Sequence, residues 1–212
     1  AKQVHQMIET FKPPKEFYKD GKKPTFRVFR DREELAARDL GASIEEALET
    51  SRYLIVICSK RTPLSDWCQK EIATFKSLHG DERIIPVLIE GEPDESFPQA
   101  LKELKRGDNE SLQDVLAADI RPDEILRADF NGYENLQNNN ISKLKELTNK
   151  SLNILKTEKY RIMATILGCS FGDLKQRDKE RKNKLILTVS SMAGTVFLIF
   201  GLFMAIAYQR AG

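Results

Sequence analysis

Between Leu185 and Tyr208 the chain carries 24 consecutive residues without a charge, mostly Leu, Ile, Val, Phe, Met and Ala. As an α-helix such a run rises about 36 Å, enough to cross a hydrocarbon core about 30 Å thick. A soluble core helix of that length would show a polar face, and a secretory signal would sit at the other end, so a single membrane span is expected. Just before it, Lys175 to Lys184 holds six basic and two acidic residues, whereas Arg210 is the one charged side chain after it. The positive-inside rule then places residues 1–184 in the cytoplasm of a single-pass protein of the inner or plasma membrane. In that position the basic run is expected to meet anionic membrane lipid rather than nucleic acid. Within the span, Ser190, Gly194, Gly201 and Ala205 fall near one face. Small residues let two helices approach closely, so this stripe suits self-association.

The chain as a whole is close to neutral, with 34 basic and 32 acidic residues in 212, so no global field invites nucleic acid. Cys58, Cys68 and Cys169 are odd in number and far apart, which fits a reducing compartment and no disulfide framework. The two histidines, His5 and His79, have no metal-ligand partner at helical spacing. No metal site and no histidine-based triad are expected. His79-Gly80 reads as a helix end.

Val4, Met7, Ile8 and Phe11 recur at spacings of three and four, which predicts an amphipathic helix ending before Pro13-Pro14. Thr25 to Phe29 reads as a strand, Arg30 to Leu40 as a charged loop, and Ser43-Ile44-Glu45-Glu46 as a capping box opening a helix to about Ser51. Tyr53 to Cys58 and Ile84 to Ile89 are apolar runs of the kind that parallel strands buried on both faces require, with a helix from Trp67 to Leu78 between them. Gly91 to Pro98 and Arg106 to Ser111 are expected loops around a short helix from Gln99 to Lys105, and Leu116 to Ile120 an edge strand. After Asn138 to Asn140, a long helical tract is broken by Gly168, and Ser170 is placed to cap a last helix that enters the basic run and the span. Strands alternating with helices predict an α/β fold with a parallel sheet.

The chemistry-bearing stretch is Ser65-Asp66-Trp67-Cys68-Gln69-Lys70-Glu71. It follows an apolar strand across a short loop, and strand, loop, helix start is where parallel α/β sheets place ligands. Ser65 or Asp66 can cap the helix, leaving Trp67 and Glu71 one turn apart on one face. An aromatic plate beside one acid suits a sugar or nucleotide. A packed indole with a solvated carboxylate would show the same spacing, so the residues alone leave both readings open.

Several blocks in order resemble a known family: Phe29-Arg30-Asp31-Arg32-Glu33-Glu34-Leu35, Asp39-Leu40-Gly41, Ser51-Arg52-Tyr53-Leu54-Ile55-Val56-Ile57-Cys58-Ser59, and Trp67-Cys68-Gln69-Lys70-Glu71. Together they closely resemble Toll/interleukin-1 receptor (TIR) domains, especially bacterial ones, over about residues 1–130. The resemblance implies a flavodoxin-like sheet flanked by helices, as a TIR domain over 1–135, followed by a helical extension over 136–170, a basic juxtamembrane segment over 171–184 and a transmembrane helix over 185–208. It also implies a first strand at the sheet's centre, between those at Thr25 and Tyr53, that these residues do not supply. The native protein is therefore expected to have residues upstream of Ala1, or to fill that place from another segment. Membrane-anchored members commonly carry further domains past the span, so a continuation beyond Gly212 is expected as well.

Many bacterial TIR domains cleave NAD+ between nicotinamide and ribose, with a glutamate at the position of Glu71. By that resemblance Glu71 is the catalytic acid, Trp67 stacks on substrate, and the loop Arg30 to Gly41 supplies Asp31, Arg32 and Arg38 as polar contacts. NAD+ would be substrate, no cofactor is needed, and the partners are other TIR domains in a homo-oligomer formed on activation. The implied function is a membrane-tethered NAD+ hydrolase that works when clustered, in signalling or antiphage defence. The alternative is a non-catalytic scaffold that signals through TIR to TIR contact. A receiver or flavin-binding reading fits less well, since no phosphate-binding glycine loop follows a strand and no acidic cluster is placed for magnesium.

Overall fold

The computed structural model describes residues 1–18, 20–29, 40–104, 117–122 and 141–211. They fall into two compact units, Ala1–Phe11 with Thr25–Cys169, and Lys12–Pro24 with Ser170–Gly212. The loop expected at Arg30 to Leu40, apart from Leu40 itself, those at Arg106 to Ser111 and Asn138 to Asn140, Leu116, and the boundary at residue 135 lie outside the described residues.

The first unit is built on three parallel strands in the order β1 (Leu54–Cys58), β2 (Ile84–Leu88), β3 (Ala118–Asp119). Leu54 pairs with Ile84 and Cys58 with Leu88, while Val87 pairs with Ala118. All five residues of β2 are buried, as a middle strand covered on both faces requires. Pro86 sits inside it without breaking the ladder to β1. Its carbonyl accepts the Ala117 N–H at 3.1 Å, so the N–H that proline lacks faces β3, ahead of the first described pair there.

Helices α1 (Lys2–Glu9), α2 (Leu40–Thr50), α3 (Asp66–His79), α4 (Pro93–Ser96), α5 (Gln99–Lys102) and α6 (Ile141–Leu167) flank this sheet. One core joins Leu48 of α2, Val56 and Cys58 of β1, Ile72 and Phe75 of α3, Ile84 and Leu88 of β2, and Phe97 and Leu101. Phe75 is fully buried, which is worth about 2–3 kcal/mol for its ring alone. On α1, Val4 and Ile8 are buried at the expected spacing, and Phe11 meets Tyr160 of α6 edge-on at 6.3 Å. Gly80 ends α3 at φ +81 and Gly168 ends α6 at φ +67, backbone that favours glycine.

Four expectations are corrected. Among the described residues, Thr25 to Phe29 form no strand; no described strand lies beside them, and the Val28 N–H instead bonds a Glu9 carboxylate oxygen at 3.1 Å. Helix α2 starts at Leu40, so Ser43 lies in its first turn instead of capping it; Leu40, Gly41 and Ala42 simply continue the helix. Gly91 to Pro98 is not all loop: Pro93 at the first helical position starts α4, and the Glu95 carboxylate accepts the Glu92 N–H at 3.2 Å. The short helix after it stops at Lys102 rather than Lys105.

In the second unit, α7 runs unbroken from Phe171 to Ala211, so the basic segment and the apolar run share one helix. Within it, Phe171–Gly201 is long and apolar enough to cross a membrane, and that apolar window is not buried inside the protein. A Cβ added at Gly194 or Gly201 would meet nothing within 4 Å. A short 3-10 turn, Lys15–Phe17, lies in the Lys12–Pro24 segment.

Candidate functional site

The carboxyl end of β1 passes into a loop closed by one buried hydroxyl. Thr62 Oγ1 accepts the Ser59 N–H at 2.8 Å and donates to the Ile57 carbonyl at 3.2 Å. A 3-10 turn with Pro63 follows, and Ser65 in extended conformation caps α3, its Oγ accepting the Cys68 N–H at 3.3 Å. Of the two expected caps, Ser65 is the one used, and Asp66 adds a carboxylate to the first turn, where the helix dipole favours it.

The inner face of α3 is committed to the core through Ile72 and Phe75. Trp67 is therefore turned outward and is 64% exposed, with Lys70 Nζ 5.8 Å from its ring centre. A packed core indole is thereby excluded. Glu71 is half-buried one turn further on, about 6 Å along the axis. Gln69 faces the other way and accepts the Ala100 N–H at 3.1 Å, tying α3 to α5. The expected residues Asp31, Arg32 and Arg38 lie outside the described residues.

A second set of groups, not anticipated from the sequence, binds the carboxyl ends of the three strands together. Arg121, just past β3, holds both Asp119 oxygens, with Nη2 to Oδ2 at 2.7 Å, and its Nη1 donates to the Gly91 carbonyl at 2.7 Å and to Glu92 at 2.8 Å. Burial works against its charge, but Asp119 and then Glu92 outweigh that and hold its pKa above the ordinary value. Lys60, after β1, reaches Glu95 at 3.2 Å. The Glu95 carboxyl is lowered, first by the Glu92 N–H and then by Lys60. Ser96, fully buried, donates from Oγ to the Glu90 carbonyl at 2.6 Å. Glycine at 91 after an apolar strand was the visible signal; the partners are set by tertiary contact.

Neither Cys58 nor His79 is poised for chemistry. Burial pushes the Cys58 thiol up to about 12, so no thiolate forms near neutral pH. The His79 ring lies against Phe75, 4.5 Å between centres, with Nε2 at 2.9 Å from the Leu48 carbonyl, a packing role at a helix end. What the site can do rests on an exposed aromatic face and a half-buried carboxylate one turn along the helix that follows β1.

Among known proteins, the "TIR domain" family description matches residues 21–131. A curated relative, "NAD(+) hydrolase ApTIR" of Actinoplanes sp., is 36% identical over 66 residues, covering 31% of this chain and 9% of that protein. The chain thus spans under a tenth of that relative's length. No solved structure gives a significant match. With the family match extending over half of the chain, on a parallel sheet flanked by helices, this protein belongs to the TIR domain family.

Proposed function

We propose that this chain is a membrane-tethered NAD+ hydrolase that releases nicotinamide when copies are clustered, in signalling or antiphage defence. The observation that carries this reading is the outward-facing Trp67 with half-buried Glu71 one turn away, where β1 hands over to α3. The relative named as an NAD+ hydrolase supports it. In the reaction the C–N bond between ribose and nicotinamide breaks, the electron pair leaves with the ring, and the pyridinium departs as a neutral molecule. No general acid is needed for that departure, unlike in glycosidases that use a second carboxyl group. Glu71 hydrogen-bonds the ribose hydroxyls and stabilises the developing oxocarbenium charge. It then orients water, or an adenine nitrogen of the same substrate, onto the anomeric carbon, and the displaced proton passes to solvent. Trp67 stacks on the ribose or nicotinamide, and Asp31, Arg32 and Arg38 are the further polar contacts to substrate that the family resemblance implies. The apolar half of α7 crosses the inner or plasma membrane with residues 1–184 on the cytoplasmic side.

The test is nicotinamide release from NAD+ by the full chain clustered in liposomes. Glu71→Ala is expected to lower release at least a hundredfold, the scale of a lost transition-state contact. Trp67→Ala is expected to raise KM and lower turnover with the fold intact, because an exposed side chain contributes within about 0.5 kcal/mol. Equal release by wild type and Glu71→Ala would sink the hydrolase. The second reading, a scaffold acting by TIR to TIR contact, is favoured by Leu64 and Trp67, apolar side chains 83% and 64% exposed at the start of α3. Under that reading cross-linking between copies, not nicotinamide release, responds to Trp67→Ala.

A further inference from the structure

Lys12 is 169 residues from Arg181 in the chain, yet the second unit joins them. Arg181 Nη1 donates to the Lys12 carbonyl at 2.7 Å and to the Pro13 carbonyl at 3.3 Å. Its Nη2 binds the Asp178 carboxylate, which also takes Lys182 Nζ at 2.7 Å. Asp178 is 2% exposed, and two cations compensate it there, so the guanidinium is held in place. One turn earlier, the Arg177 guanidinium lies 5.9 Å from the Phe17 ring centre. The segment therefore runs along the helix, with Pro13 by Arg181 and Phe17 by Arg177.

The position of this contact gives it meaning. Arg181 and Arg177 precede Leu185, where the apolar run begins, by about 6 and 12 Å along the helix. Those distances are comparable to the Debye length of about 8–10 Å at physiological salt, within which a charged surface is felt. The clamped segment carries Lys12, Lys15, Lys19, Lys22 and Lys23 against Glu16 and Asp20. Lys12, Lys15, Lys22 and Lys23 are exposed. With residues 175–184 of α7, this is eleven basic against four acidic side chains in one unit. Free nucleic acid would match the charge, but the apolar run beginning next to the clamp favours a lipid surface.

We propose that residues 12–23 and the basic turns of α7 form one cationic collar that receives the anionic headgroups of the membrane the helix enters. It rests on the membrane reading above and adds a second, non-contiguous lipid-binding element. The Arg181 clamp, through main-chain carbonyls, leaves the exposed side chains of Lys12, Lys15, Lys22 and Lys23 available to the headgroups.

The test places the full chain in nanodiscs of phosphatidylcholine, and in discs where phosphatidylglycerol replaces part of it, and follows lysine acylation by mass spectrometry. A free lysine peptide in the same mixture gives the reference rate. Acylation at Lys12 and Lys15 is expected to slow about fivefold in the anionic discs, because the negative surface holds each ammonium protonated. High salt is expected to reverse the slowing. Arg181→Ala is expected to restore fast acylation at Lys12 and Lys15 while Lys184 stays slow. The two lipids are compared on the wild-type chain, so the test stands even where that variant misfolds. Equal rates at Lys12 and Lys15 in both lipids, with Lys184 slowed, would overturn the collar and leave the span in place. A chain that never enters the discs would instead overturn the membrane reading. Slowing by added single-stranded RNA in neutral discs, and none by phosphatidylglycerol, would assign the lysines to nucleic acid and overturn the collar too.

Discussion

Gly91→Ala tests how tightly the loop after β2 is held. Gly91 sits at φ +68, and an added Cβ would lie inside contact distance of Ser96 Oγ, 2.9 Å from Lys60 Cγ and 3.1 Å from Glu95 Oε2. The left-handed backbone costs alanine about 1–2 kcal/mol. Displacing the Ser96 hydroxyl breaks its buried bond to the Glu90 carbonyl, a further cost of about 1–3 kcal/mol. Loss of the exposed Lys60–Glu95 pair adds little, since such pairs contribute under about 1 kcal/mol. The total is about 3 kcal/mol, a large share of a typical domain's stability. Thermal unfolding of the full chain in nanodiscs should then begin about 10 °C lower, at about 2–4 °C per kcal/mol for a chain of this size. Gly91→Asn separates the two causes, because asparagine tolerates the left-handed backbone but still carries a Cβ. It is expected to cost about 1–2 kcal/mol less than alanine, the backbone share, while the clash with the Ser96 hydroxyl remains. Gly91→Ala with Ser96→Ala should cost less than the sum of the two, because the lost bond is counted once. A Gly91→Ala chain within about 0.5 kcal/mol of wild type, or strictly additive single effects, would refute the reasoning.

Arg121→Met should destabilise by about 1–3 kcal/mol, because it leaves the Gly91 carbonyl without its charged donor and Asp119, a third exposed, without its partner, and Asp119→Asn should cost less; chemical denaturation measures both. The Glu9 carboxyl is held below its ordinary 4.5, first by the Val28 N–H and then by His5. Its contribution is therefore present above pH 4.5 and lost as pH falls through the lower folded value, so protection of the Val28 amide, taken against its intrinsic exchange rate, should fall on acidification and Glu9→Gln should abolish that dependence. Cys58, with its thiol raised from 9.0 to about 12, favours folding below pH 9, and that contribution is lost as pH rises from 9 towards 12. Alkylation of Cys58 should accordingly report global unfolding, and Cys58→Ala should flatten the alkaline side of the stability profile.

The elements legible in the sequence are those whose pattern is local. β1 and β2 were visible as apolar runs, α1 from the spacing of Val4, Ile8 and Phe11, and the ends of α3 from Ser65 and Gly80. The Trp67–Glu71 spacing was equally visible, but whether the indole lay inside depended on which face of α3 the core claimed. Thr25 to Phe29 misled because strand propensity needs a neighbour, and here a glutamate side chain takes the Val28 N–H. Arg121, Lys60 and Gly91 form a set only once three separate loops meet. The clamp between Arg181 and Lys12 was beyond reach for the same reason, since the two are 169 positions apart.

A continuous α7 has a mechanical corollary. Its 41 residues contain no glycine or proline break at the junction between charged and apolar halves, so the helix acts as a torsion rod. Each residue of register is about 100° of rotation. Four to seven residues of unbroken helix separate Leu185, where the apolar run begins, from Arg181 and Asp178, so the direction in which the guanidinium reaches the two carbonyls is tied to the rotational setting of the apolar run.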